Sequence, residues 1–196
     1  MITIYYCNTL CPEIAQRVSN QRTEKILESK SIEGRNEQIR TAKCLQAGFS
    51  ELGIDESEVI YRTKEYGKPF VSVVPNTDFS VSHTKNISMV AFSDNNIGID
   101  CENNNRVISS EILNRYFSNQ EAEAFSTLPV LLWVAKEAFV KYTGKGFAHG
   151  RKEIELPFFE NELSLNGVWF KKIDIEGHTV VVCSSTPQEV AVKNIL

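Results

Sequence analysis

The sequence predicts an α+β protein, because helical and strand patterns are segregated along the chain, that order recurs in its second half, and 42% of its residues are hydrophobic. Residues 2–6 alternate as a strand. Residues 12–30 have helical spacing, with Ile14, Val18, Ile26 and Leu27 turned inward. Gly34 interrupts ahead of a second helix over residues 35–49, which Gly48 and Gly53 bring to a stop. Short β-type runs follow at residues 58–61, 69–74, 78–82 and 87–93, punctuated by Gly67, Pro75, Asn76 and Lys85-Asn86. After Asp94-Asn95-Asn96 comes a strand over residues 97–102, then helical segments from about residue 109 to 142. Within them Ser118-Asn-Gln-Glu121 is a capping-box signature, and Pro129 suits the first turn of a helix that Gly144 and Gly146 end. Strands are expected at residues 153–156, 167–175 and 179–184. The likeness of residues 88–93 to residues 179–184 is a weak hint of internal duplication.

A length of 196 residues accommodates one domain or two small ones, and the expected boundary separates residues 1–94 from residues 95–196. No apolar run approaches the roughly 20 residues of a membrane span. The opening Met1-Ile-Thr-Ile-Tyr-Tyr-Cys7 lacks the basic region of a secretory signal, so the expected location is cytoplasmic, without a membrane partner. Five scattered cysteines, Cys7, Cys11, Cys44, Cys101 and Cys183, suit reduced thiols better than a disulfide framework or a zinc site. With 21 basic against 25 acidic residues, the net charge of −4 argues against a nucleic-acid binder. Any polyanionic ligand must be held by a local basic cluster.

Four constellations could carry chemistry. In Ile97-Gly-Ile-Asp-Cys-Glu102, strand alternation puts Asp100 and Glu102 on one face. Such neighbouring carboxylates repel unless a cation or shared proton lies between them, and Mg²⁺ favours oxygen ligands of this kind. Their plain alternative is a strand end facing water. On the following helix, Trp133, Glu137 and Lys141 share a face apart from the core positions Leu128, Leu131, Leu132, Ala135, Ala138, Phe139 and Tyr142. Either Glu137 and Lys141 form an ordinary surface pair, or they supply a further carboxylate and a phosphate-binding cation. Gly67-Lys68-Pro69 and Phe79-Ser-Val-Ser82-His83 offer a lysine on a stiff turn and hydroxyl and imidazole groups at a strand end. The chain has no phosphate-binding glycine loop of the G-x-x-x-x-G-K-[S/T] type, no G-x-G-x-x-G, no H-E-x-x-H and no G-x-S-x-G.

Taken in order, Gly67-Lys-Pro69, Phe79-x-x-Ser-His83, Ile97-Gly-Ile-Asp-x-Glu102, Phe117-Ser-x-x-Glu121, Trp133-x-x-Lys-Glu-Ala-x-x-Lys141 and Gly144-Lys-Gly146 resemble the 4′-phosphopantetheinyl transferases of the Sfp type. The resemblance implies an α+β pseudodimer of two similar subdomains, with coenzyme A held at their interface. It implies transfer of the phosphopantetheine arm of coenzyme A to a serine of an apo acyl or peptidyl carrier protein, releasing adenosine 3′,5′-bisphosphate. By the same resemblance Asp100, Glu102 and Glu137 are Mg²⁺ ligands, Glu137 is also a candidate base, and Lys141 contacts the pyrophosphate. Asp100 also counts among the coenzyme A contacts. Lys68, Ser82 and His83 are assigned to the nucleotide phosphates. Arg35 sits where an arginine for coenzyme A is expected, with Arg22, Lys25 and Arg40 competing for such roles. Trp133 and Glu121 are expected to be structural, and Arg106, Arg115 and Lys145 are candidates for carrier docking. The expected state is a monomer. Two competing readings are a non-catalytic coenzyme A or carrier-binding homologue and a Mg²⁺-dependent nucleotide pyrophosphatase.

Overall fold

The computed structural model describes residues 1–10, 17–72, 76–146 and 153–196. Expectations for Cys11, Pro12, Ile14, Val73, Val74 and Pro75 lie outside these residues. The chain divides into two compact units, Met1–Thr63 with Pro69–Asn95 and Gln188–Leu196, and Lys64–Lys68 with Asn96–Pro187.

The first unit is built on strands β1 (Ile2–Cys7), β4 (Asp78–His83), β5 (Ser88–Ser93) and β10 (Val190–Asn194), in the order β10-β1-β5-β4. β5 is antiparallel to both β1 and β4, whereas β10 runs parallel to β1 from Ile2↔Val190 to Tyr6↔Asn194. All six residues of β1 are buried, as befits an inner strand covered on both faces. Helix α2 (Ile32–Glu51) packs on this sheet through Cys44, Leu45 and Phe49, which join Tyr5, Phe79, Val90 and Phe92 in one core cluster. Phe49 meets Phe79 and Phe92 edge-on at 5.9 and 5.2 Å, and full burial of one such ring stabilises by about 1.5–3 kcal/mol.

Neither glycine of α2 breaks it. Ser31 caps the helix by accepting from the Gly34 amide, so the helix begins earlier than the expected residue 35. Gly48 lies in the last turn of α2, where a Cβ would come within 2.1 Å of the Phe92 ring. Helix α1 (Asn20–Glu28) is shorter than expected and turns Arg22 and Ile26 inward, leaving Leu27 62% exposed. The strand expected at residues 58–61 is displaced. Asp55 caps a 3₁₀ turn at Glu56–Glu58, and β2 (Tyr61–Thr63) then pairs with β3 (Pro69–Val71) as a two-stranded ribbon.

In the second unit β6 (Ile97–Asn103), β9 (His178–Ser184), β8 (Val168–Ile175) and β7 (Glu162–Leu165) form an antiparallel sheet in that order. Helices α3 (Ser110–Tyr116) and α4 (Asn119–Ala124) lead to α5 (Pro129–Thr143), whose Leu131, Leu132, Ala135, Ala138 and Phe139 pack with Phe170, Val181 and Cys183. The capping box at Ser118 and Glu121 forms, Pro129 occupies the first turn of α5, and Gly144 closes that helix at φ +69°. Leu128 stands just outside α5 and is 44% exposed, so it is not part of the expected core face.

Residues 153–156 are not a strand. Their backbone groups are taken by side chains: Lys136 Nζ donates to the Ile154 carbonyl at 2.5 Å, and the Leu156 amide donates to Glu121 Oε1 at 2.9 Å. The unit boundary also differs from the expected one. β10 returns residues 188–196 to the first unit by pairing with β1, and Lys68 Nζ bonds to the Ile97 carbonyl at 2.7 Å, tying residues 64–68 to the second. Cys7, Cys44, Cys101 and Cys183 are buried thiols outside any disulfide. Among the described residues no helix is long and apolar enough to cross a membrane.

Candidate active site

Asp100 and Glu102 lie two apart on β6, an edge strand of its sheet, where Asp100 is buried along with Ile97, Ile99 and Cys101 and Glu102 is half-buried. The strand approaches α5 closely at Gly98, where a Cβ would fall 2.0 Å from the Ala138 carbonyl oxygen and 2.5 Å from the Tyr142 nitrogen. That contact brings two sequence patterns of different period into one site. Lys141 Nζ sits 2.7 Å from Asp100 Oδ1. One turn earlier on α5, the Glu137 carboxyl is pushed up to about 7, first by burial and then by the charge of Asp100, with Lys141 and Arg106 acting in the opposite direction.

Glu102 is held on both oxygens. Oε1 accepts from the Asn103 amide at 2.9 Å, and Oε2 pairs with Arg106. A tight turn returns Arg106 to this position, since the Asn103 carbonyl accepts from the Arg106 amide and Asn103 Oδ1 accepts from the Asn105 amide. The Arg106 guanidinium also lies 4.8 Å over the Trp133 ring, which is packed edge-on against Tyr116 and Phe117. Three carboxylates thus face two cations.

Among the described residues no three His, Cys, Asp or Glu side chains converge as a ready-made metal cluster; Lys141 and Arg106 stand on the β6 carboxylates. The donor chemistry nevertheless suits a hard divalent cation: all three acids present oxygen, and the mutual repulsion of Asp100 and Glu137 is relieved by added positive charge.

The other expected residues are distributed differently. Lys68 is 8% exposed and bonds to Asn96 Oδ1 at 3.2 Å as well as to the Ile97 carbonyl, so in this arrangement it braces the start of β6. Ser82 is buried on β4 opposite Met89, and His83 Nδ1 lies 3.1 Å from Glu37 Oε2. His83 lines a cavity of about 370 Å³ in the first unit together with Arg22, Lys25, Thr41, Tyr61 and Arg62. Arg35 is exposed in the first turn of α2 and does not line this cavity. Arg22 Nη2 donates to Gln38 Oε1 at 3.0 Å, while its Nε and the Thr41 hydroxyl are buried without a hydrogen-bond partner. Burial lowers the pKa of both Arg22 and Lys25. Arg40 is also buried, with Nη2 2.8 Å from the Lys85 carbonyl.

Sequence reasoning missed the buried ion pair of Lys136 with Glu121. Its only sequence signal is a lysine set among the core positions of α5, beside Ala135 and Ala138.

An α+β chain with paired acids on an edge strand, faced by an acid and a lysine one helical turn apart, is an acid-and-lysine site of the kind that handles phosphates. Residues 96–182 match the model of the 4′-phosphopantetheinyl transferase superfamily, and the chain belongs to that superfamily. It is 31% identical over 158 residues to the 4′-phosphopantetheinyl transferase Sfp of Bacillus subtilis strain 168, an alignment covering 68% of this chain and 66% of that protein. Over 101 residues it is 35% identical to the 4′-phosphopantetheinyl transferase psf-1 of Bacillus pumilus, covering 47% and 43% of the two chains. A Candida glabrata L-aminoadipate-semialdehyde dehydrogenase-phosphopantetheinyl transferase is 29% identical over 158 residues, covering 71% and 61%. The chain thus spans no more than about two thirds of the length of these relatives.

Proposed function

We propose that the chain is a 4′-phosphopantetheinyl transferase that moves the phosphopantetheine arm of coenzyme A onto a serine of an apo carrier protein. The observation that carries this reading is the meeting of Asp100 and Glu102 on β6 with Glu137 and Lys141 on α5. In the reaction the carrier serine oxygen forms a bond to the β-phosphorus of coenzyme A. The bond from that phosphorus to the bridging oxygen breaks, and adenosine 3′,5′-bisphosphate leaves. Asp100, Glu102 and Glu137 would hold Mg²⁺, which when bound supplies charge neutralisation on the pyrophosphate.

The chain's own residues account for the remaining steps. A serine hydroxyl is a weak nucleophile at neutral pH, and we assign the Glu137 carboxylate to accept its proton. Lys141, 2.7 Å from Asp100, is placed to donate a hydrogen bond to the departing phosphate. For the nucleotide phosphates we assign Lys68, Ser82 and His83. The basic cavity of the first unit extends that set: Arg22 and Lys25 line it beside His83 and are better placed than the exposed Arg35.

We also read the two units as halves of a duplicated fold acting as a cytoplasmic monomer. Each is a four-stranded sheet with one long helix against it, and the two similar segments noted in the sequence become β5 and β9, inner strands of their sheets.

The test is to incubate the protein with coenzyme A, Mg²⁺ and an apo carrier protein and follow the carrier by intact mass. Gain of one phosphopantetheine is the expected result. Retained coenzyme A binding with no gain would establish a binding homologue, and cleavage of coenzyme A without carrier a pyrophosphatase.

A further inference from the structure

Arg106, expected from the sequence as a candidate for carrier docking, is engaged in the structure by the acidic site. Its guanidinium pairs with Glu102 Oε2, its central carbon lies 4.8 Å over the Trp133 ring, and its charge acts on Glu137. The turn at residues 103–106 fixes the backbone from which it reaches back, through the Asn103 and Asn105 bonds. Trp133 is itself fixed by two edge-on aromatic neighbours. A cation held from both sides in this way is prearranged; it is not a surface arginine that happens to meet an acid.

We propose that Arg106 is a built-in counter-ion that competes with the divalent cation for Glu102, so that metal binding displaces its guanidinium from Oε2. The inference rests on the reading of Asp100, Glu102 and Glu137 as the metal site. Its electrostatic content is simple. While no metal is bound, Arg106 and Lys141 balance the β6 carboxylates and hold them in place. A doubly charged cation arriving there meets the repulsion of the guanidinium and must take an oxygen from it. Arg106 therefore weakens metal affinity and keeps the carboxylates ordered for capture.

Mn²⁺ binding to the full chain, read by electron paramagnetic resonance without coenzyme A, tests this. Arg106→Met keeps a flexible apolar stem against Trp133 and removes the charge. Its Mn²⁺ affinity should rise by about fivefold to twentyfold, the range expected for removing one charge beside a largely buried carboxylate. Arg106→Lys, which keeps the charge, should stay within about twofold of the wild type, showing that charge and not packing sets the effect. Glu102→Gln should weaken Mn²⁺ binding. Unchanged or weaker binding in Arg106→Met, with Glu102→Gln weakened as expected, overturns the counter-ion proposal alone. A wild-type protein that binds no Mn²⁺, or a Glu102→Gln variant that binds as well as wild type, overturns the metal-site reading and this proposal with it. Circular dichroism melts of each variant confirm that a folded protein is being compared.

Discussion

Glu137 stands on α5 one turn from Lys141, in surroundings that favour its protonated carboxyl. Burial and then the charge of Asp100 push its carboxyl up to about 7. Glu137→Gln keeps the shape but removes a carboxylate assigned both as base and as metal ligand, so kcat should fall by at least about 10²–10⁴-fold and Mn²⁺ binding should weaken, measured by carrier modification and by electron paramagnetic resonance. A second carboxyl bears on stability. Glu56 is 1% exposed and accepts from the Ser19 amide, the Ser19 hydroxyl and the Tyr61 hydroxyl, yet burial still raises its pKa. A carboxyl raised on folding contributes stability below its unfolded pKa and loses it as pH rises through the folded value. Glu56→Gln should therefore gain on the wild type in thermal melts as pH rises from about 4 to about 8. The strand period made the shared face of Asp100 and Glu102 legible and the helical period that of Glu137 and Lys141, but only the family resemblance joined the two pairs in one candidate site. The part Arg106 takes at Glu102 was not, since it depends on the path of the 103–106 turn, and Arg22 was legible only as one basic residue among several.

At the scale of elements, the decisive contact is β6 against α5 at Gly98. Gly98→Ala would drive a methyl group into the α5 backbone at Ala138 and Tyr142, neither of which can yield as a flexible side chain can. Overpacking of this sort costs about 1–3 kcal/mol, and here it should also separate Glu137 and Lys141 from Asp100. Urea denaturation and Mn²⁺ affinity should therefore worsen together, whereas a purely local defect would alter only the first. The existence of most helices and strands was legible from periodicity, but glycine misled in two places. Gly34 and Gly48 read as stops, yet the first sits in a capped first turn and the second makes room for Phe92. Residues 153–156 misled in another way: their alternation is that of a strand, but Lys136 and Glu121 take the backbone groups that a strand partner would need. Local pattern cannot reveal a competing side chain some 18 or 35 residues away.

For the molecule as a whole, the two compact units do not follow the single cut expected after residue 94. β10 is short and mostly exposed, so nothing in its own pattern marks it as the parallel partner of β1. Ending the chain after Pro187 removes β10 together with the Lys193 to Glu51 ion pair, and leaves β1 as a long apolar edge. Such an edge is prone to pair with other chains, so the shortened protein should scatter light on warming well before the full chain does.

The same strand has a consequence for how the protein is made. A nascent chain leaves the ribosome from its N-terminus, so β1 is available early, but β10 follows only after all of Asn96–Pro187 has been synthesised. Non-local pairing of this kind forms slowly. The middle of the sequence can thus fold before its beginning is complete, and until then the first-made strand lacks the neighbour that covers it.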